Sequence, residues 1–213
     1  MKIGGLQKLT LIDYPGKIAA TVFTIGCNFF CPFCHNPELV GPEKIKEHPL
    51  IPEEDFFGFL NERRGKLEGV CITGGEPALH RDLPEFIRKI KNLGFGVKLD
   101  TNGSNPEIIE NLIRENLIDY LAMDIKGPLE KYQEITRSKI DLEKIKKNVE
   151  LIKNFPEYEF RTTILPRFHK KEDMINIAEW LKGSKNYFLQ QFRPGKTLDP
   201  SFEKEKSYSS RIS

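Results

Sequence analysis

Cys27, Cys31 and Cys34 fall within one eight-residue run, Cys27-Asn28-Phe29-Phe30-Cys31-Pro32-Phe33-Cys34, and make up three of the chain's four cysteines. The spacing is C-x3-C-x2-C, followed at once by His35-Asn36-Pro37-Glu38. Each residue extends a chain by at most ~3.6 Å, so three thiols on so short a loop can wrap one corner of an inorganic cluster. A closed [4Fe–4S] cube takes four thiolates, one per iron. Three leave one iron without a protein ligand, and an open iron is where chemistry can happen. Two plainer readings compete. Zinc would need four N or S ligands, which His35 would complete, but zinc ligands usually come as two separated pairs and no second pair is present. A disulfide would suit a secreted chain, but the N-terminus shows neither a signal peptide nor a long apolar run.

Further reactive groups follow short apolar runs. Thr73-Gly74-Gly75-Glu76-Pro77, Asp100-Thr101-Asn102-Gly103 and Asp124-Ile125-Lys126 each stand at the end of such a run. Gly74-Gly75 fits a tight strand-to-helix turn, or a place where bare backbone approaches a ligand's ammonium. Asp100 and Asp124 could be helix N-caps or carboxylates facing a cationic ligand. Lys126, two residues beyond Asp124, lies on the same face of an extended chain and could neutralise a ligand's carboxylate. Cys71, between Val70 and Ile72, reads as a small buried apolar residue. His48 and His80 stand in polar surroundings and read as solvated. His35 reads as shaping the loop, and His169 as facing the rim without a catalytic role.

The elements that would position these groups alternate. Strand-like runs at Thr21–Ile25, Gly69–Thr73, Phe95–Asp100, Tyr120–Ile125, Glu159–Leu165 and Tyr187–Phe192 are mostly separated by helical patterns. These lie at Pro52–Arg64, Arg81–Leu93, Pro106–Asn116, Asp141–Phe155 and Lys171–Lys182. Such alternation predicts an α/β fold of βα units on a parallel sheet. Six strands are too few for an eight-stranded barrel, so a partial, laterally open (β/α)6 barrel is expected, with a doubly wound sheet as competitor. In either, functional groups gather at the carboxyl ends of the strands. A hairpin over 6–25, turning at Tyr14-Pro15-Gly16-Lys17, should lead into the cysteine loop at 26–38. Residues 1–193 read as one domain and 194–213 as a polar tail, draped or mobile.

The 213 residues carry 33 Lys+Arg against 31 Asp+Glu, a net of +2. That balance provides no field for nucleic acid and no polybasic membrane anchor. A cytoplasmic location is the expectation.

Asp13-Tyr14-Pro15-Gly16, Gly26-Cys27, the cysteine loop with His35-Asn36-Pro37-Glu38, and Gly74-Gly75-Glu76-Pro77 together resemble the glycyl-radical-enzyme activases of the radical S-adenosylmethionine (SAM) superfamily. This branch includes the pyruvate formate-lyase activating enzyme. The opening run Gly5–Lys17 and the later Leu189-Gln190-Gln191-Phe192-Arg193-Pro194 are similar to the anaerobic ribonucleoside-triphosphate reductase activating proteins. The resemblance extends over about residues 4–200. It implies a [4Fe–4S] cluster on Cys27, Cys31 and Cys34, and SAM held by Gly74, Gly75, Glu76, Asp100, Asp124 and Lys126. It further implies reductive cleavage of SAM to a 5′-deoxyadenosyl radical, which abstracts hydrogen from a glycine of a partner glycyl radical enzyme. A flavodoxin- or ferredoxin-type protein would donate the electron. Where the pyruvate formate-lyase enzyme has a last-strand histidine, this chain has Gln191-Phe192-Arg193-Pro194, and Arg193 is the expected substitute. With only Cys71 to spare, a second four-iron cluster is not expected. A radical SAM enzyme acting on a small molecule, such as a deazapurine-forming synthase, is the rival within the superfamily. A zinc-stabilised binding module is the rival outside it.

Overall fold

The computed structural model describes residues 1–208. Seven strands form one sheet in sequential order: β1 (Ile3–Thr10), β2 (Ala19–Thr24), β3 (Gly69–Gly74), β4 (Gly96–Thr101), β5 (Tyr120–Asp124), β6 (Tyr158–Ile164) and β7 (Tyr187–Gln191). β1 pairs antiparallel with β2, and every later pairing is parallel. A doubly wound sheet reverses its strand order at a switch point; this one never does. The parallel strands therefore curl in one direction, and the sheet keeps two ends, β1 and β7. The fold is an open, partial barrel.

Helices cover the outer face. After two short helices, α1 (Pro37–Val40) and α2 (Pro42–Glu47), come α3 (Glu53–Glu62), α4 (Leu83–Asn92) and α5 (Pro106–Arg114). α6 (Tyr132–Thr136), α7 (Leu142–Lys153) and α8 (Lys171–Trp180) complete the set. Helices α3, α4, α5 and α7 each bury a stripe at helical spacing, such as Leu83, Phe86, Ile87 and Ile90 on α4. These stripes share one core with Val70, Ile72, Val97, Leu99, Leu121, Met123 and Phe160 of the sheet.

Alternate strand residues point the other way, and there the chain is polar. Cys71 opposes Lys98 in register, Lys98 opposes Tyr120, and Asp124 opposes Arg161. Tyr14 closes the amino-terminal end of this inner face. Its ring lies against Gly69, where an added Cβ would meet Tyr14 carbon at 2.7 Å, and 6.2 Å from the Tyr120 ring.

The expected hairpin is present with shifted bounds. β1 begins at Ile3, and the connection to β2 runs from Leu11 to Ile18, longer than the Tyr14–Lys17 turn. Residues 194–208 drape over the molecule and bury Phe202 completely. Residues 209–213 of the expected tail lie outside the described residues.

Candidate active site at the cysteine loop

The cysteine loop leaves the end of β2 and is fixed at its start by neighbouring backbone. Gly26 N–H donates to Leu39 O at 2.8 Å, and Gly26 O accepts from Glu76 N–H at 2.7 Å. This contact explains Gly75. A Cβ there would stand 2.1 Å from Gly26 O, so the loop can approach β3 only over bare backbone. Gly74 has φ +113°, which side chains disfavour. The pair thus serves the turn and the close approach while still bordering the cavity described next.

One cavity is walled by Cys27, Cys31 and Cys34, by Gly74, Gly75 and Glu76, and by Asp100, Asp124 and Lys126. Every sequence-predicted site residue except Arg193 is there. Arg193 is exposed and presents its carbonyl to His35 Nε2 at 2.8 Å, while Phe192 beside it takes the buried position and stacks on the His35 ring at 5.0 Å. A second basic group, Arg161 of β6, backs the rim carboxylates from behind the cavity wall. Its Nε donates to Asp124 Oδ1 at 3.0 Å, and its guanidinium pairs with Asp100 at 3.1 Å and Glu159 at 3.5 Å. Lys126 Nζ is 2.9 Å from Asp124 Oδ2. Burial alone would raise the Asp124 carboxyl, but Lys126 and Arg161 outweigh it and hold the group far below the usual carboxylate range. The same attraction raises Lys126 despite its burial. Asp100 and Asp124 are thus rim carboxylates, paired across strands, rather than helix caps.

Lys98, only 1% exposed, extends this network inward. It pairs with Asp100, lies 3.9 Å from Glu159 and stands 3.9 Å from Cys71 Sγ. Arg161 and Lys98 escaped the sequence reading; the signal was a charge at an inward position of an otherwise apolar or β-branched strand. Glu76 is 1% exposed and accepts from Ala78 N–H, Thr101 O–H and Asn102 N–H at 3.0, 2.8 and 2.6 Å. It locks the β3 end to the β4 end. Burial pushes its carboxyl up to about 7 against these three donors.

The remaining histidines have structural partners. His48 and His80, expected to be solvated, are half-buried and bond Gly4 O at 2.7 Å and Ile25 O at 3.0 Å, because each folds back onto the adjoining strand end. His169 is fully buried. Its Nδ1 accepts from Leu165 N–H at 3.2 Å, so Nε2–H donates to Lys126 O at 2.9 Å. His169 therefore props the backbone of Lys126.

The donor set suits an iron–sulfur cluster. All three thiols are free of disulfides. Cys27 Sγ receives Phe29 N–H at 3.4 Å and faces Asn102 Nδ2 at 3.8 Å, donors that favour a thiolate. Burial pushes Cys27 up to about 12 and Cys31 up to about 11; a bound cation reverses that preference, since metals take the thiolate. Among the described residues no three His, Cys, Asp or Glu side chains converge as ligands of one ion. Ligands of a cube need not converge, because each takes a different iron.

A family model, the radical SAM superfamily, matches residues 21–181. A protein of Methanocaldococcus jannaschii, provisionally named a glycyl-radical enzyme activating enzyme, is 39% identical over 208 residues, 95% of this chain and 84% of that protein. The pyruvate formate-lyase-activating enzyme of Listeria monocytogenes is 32% identical over 135 residues, spanning 59% of this chain and 53% of that enzyme. The crystal structure of Streptococcus suis SuiB bound to S-adenosylmethionine shares the fold. Its TM-score is 0.64 at 15% identity, over 87% of this chain and 42% of that one. With most of its length inside the family model and a relative similar almost from end to end, the chain belongs to the radical SAM superfamily and is an enzyme of its glycyl-radical-enzyme-activating branch.

Proposed function

We propose that this activating enzyme holds a [4Fe–4S] cluster on Cys27, Cys31 and Cys34, binds SAM beside it, and installs a glycyl radical on anaerobic ribonucleoside-triphosphate reductase. The observation that carries the reading is the meeting, on one cavity wall, of three thiols and a rim of paired opposite charges. A reduced cluster held by these three thiolates would supply the single electron that cleaves the SAM sulfonium to methionine and a 5′-deoxyadenosyl radical, the species that would take a hydrogen from a glycine Cα. The chain's own residues bind and orient. Asp100 and Asp124 would take the ligand's ammonium, and Lys126 its carboxylate. Gly74 and Gly75 offer backbone, and Glu76 keeps the β3 and β4 ends together so that these groups share one geometry. Arg161 prevents Asp100 and Asp124 from repelling each other.

The choice of partner rests on the opening run Gly5–Lys17 and on Leu189–Pro194, which are similar to the reductase activating proteins. An open barrel edge suits a protein loop as substrate better than a closed pocket would. A flavodoxin- or ferredoxin-type protein is the proposed electron donor. The test mixes reconstituted, reduced protein and SAM with either anaerobic ribonucleotide reductase or pyruvate formate-lyase, and records electron paramagnetic resonance spectra. A glycyl doublet on the reductase supports the proposal. A doublet on the lyase alone moves the partner, and SAM cleavage without any doublet favours a small-molecule substrate.

A further inference from the structure

We propose that the segment after β7 is a strap that holds the Cys34 end of the cysteine loop in shape for its cluster, with Asp199 and Phe202 as positioning residues. The inference rests on the cluster assignment above. Residues 25–36 contain no helix or strand, and ordering such backbone costs conformational entropy. Something must hold it. The first half of the loop is held by the barrel, through Gly26 and through Phe30 N–H donating to Thr136 O at 2.9 Å. The second half is held from beyond β7. Leu198 N–H donates to Cys34 O at 3.0 Å, Asp199 N–H donates to Pro32 O at 2.9 Å, and His35 is pinned to Arg193 O and to the Phe192 ring.

The strap is itself anchored. Phe202 is fully buried, stacked on Phe168 with centroids 5.5 Å apart, and covered by the Arg167 guanidinium at 4.3 Å. Asp199 pairs with Arg137 at 2.8 Å and accepts from Ser201 N–H at 2.9 Å, which caps the turn leading to Phe202. Ser207 Oγ closes the strap onto Phe192 O at 2.6 Å. All the strap residues lie outside the 21–181 segment that the family model matches. The two backbone bonds also set direction. In a trans peptide the N–H points opposite to the C=O, so fixing the carbonyls of Pro32 and Cys34 fixes the N–H groups of Phe33 and His35, one on each side of Cys34. Hydrogen bonds near cluster sulfurs tune reduction potential, so the strap bears on potential as well as on retention.

The test uses the full-length, reconstituted protein with Phe202→Ala, Phe202→Leu and Asp199→Ala. Iron release to a chelator and the cluster's midpoint potential are measured below the unfolding temperature, with far-UV circular dichroism as the check on folding. Expected is severalfold faster release and a shifted potential in Phe202→Ala and Asp199→Ala, with Phe202→Leu between them and wild type. Asp199→Ala leaves the buried anchor in place, so it reads the strap even where Phe202→Ala fails to fold. Wild-type release and potential in a folded Asp199→Ala and Phe202→Leu would overturn the strap. A wild-type chain that takes up no cluster would instead overturn the assignment on which it rests.

Discussion

Lys126 is the side chain on which the proposed SAM recognition turns, because its ammonium lines the cavity with the three cysteines and Asp124 holds it in the charged form. Breaking a fully buried ion pair costs ~3–5 kcal/mol. Here 20% of Lys126 and 34% of Asp124 are open to the cavity, so solvent screening lowers that figure. Lys126→Ala should therefore weaken SAM binding measurably while iron content stays at the wild-type level; unchanged SAM affinity would place the pair outside the ligand site. His169, behind Lys126, makes a pH prediction. Burial holds it neutral and below its ordinary value of 6.5. An unfolded chain takes up the proton that the folded one refuses, so stability is lost as pH falls through that value, by at most ~1.4 kcal/mol per pH unit. Glu76 works in the opposite sense: it gains a proton on folding between its ordinary 4.5 and about 7, so its contribution falls as pH rises. Denaturant unfolding of wild type against His169→Asn at pH 7.5 and 5.5 separates the two, and the variant should lose less stability on acidification. Parallel losses in both proteins would contradict the neutral, buried histidine. The cysteines were legible in the sequence because a three-thiol loop is a local pattern. Arg161 was not, because its partners Asp100 and Asp124 are joined to it only when β4, β5 and β6 lie side by side. Arg193 misled because alternation past β7 gives the inward place to Phe192.

The strands and helices were read from their periods, and the observed elements differ mainly at their ends. Helix α3, for example, runs Glu53–Glu62 rather than Pro52–Arg64. What periodicity could not show was how closely the loops approach one another. Gly74-Gly75 reads in sequence as a turn or a ligand contact, whereas the structure adds Gly26 O where a Gly75 Cβ would sit. Gly75→Ala must push the cysteine loop off β3. Overpacking of this kind costs ~1–3 kcal/mol. The variant should unfold at lower urea and take up less iron on reconstitution, and wild-type values for both would show that the loop yields freely. The segment after β7 was equally opaque. A single Phe202 among Ser, Lys and Glu gives no period, yet it fills a site made by Phe168 and Arg167 from the loop before α8.

The molecule as a whole is a sheet that curls without closing, with a greasy outer face under helices and a charged inner face ending at the cysteine loop. The count of βα units pointed to a partial barrel but left a doubly wound sheet open, and the sequential strand order, which no local pattern carries, decides between them. The inner charges balance: Lys98, Arg161 and Lys126 stand against Asp100, Asp124 and Glu159, so the interior carries paired rather than isolated charge. Among the described residues no helix is long and apolar enough to cross a membrane. Leu9, Leu11 and Ile12 are exposed on and just after the edge strand β1, and Phe188 and Leu189 on the other edge strand β7, with the barrel's opening between those two edges. The account places a partner's glycine at that opening, within reach of a radical made at the three-cysteine site. Anaerobic ribonucleotide reductase labelled with deuterium at its glycine Cα positions tests this most directly. After incubation with the reduced, reconstituted protein and SAM, the 5′-deoxyadenosine is isolated for mass spectrometry. The account predicts deuterium in its methyl group, matched by a glycyl radical on the reductase and absent when Cys27, Cys31 or Cys34 is alanine. Unlabelled 5′-deoxyadenosine formed at the same rate with or without the reductase would contradict it.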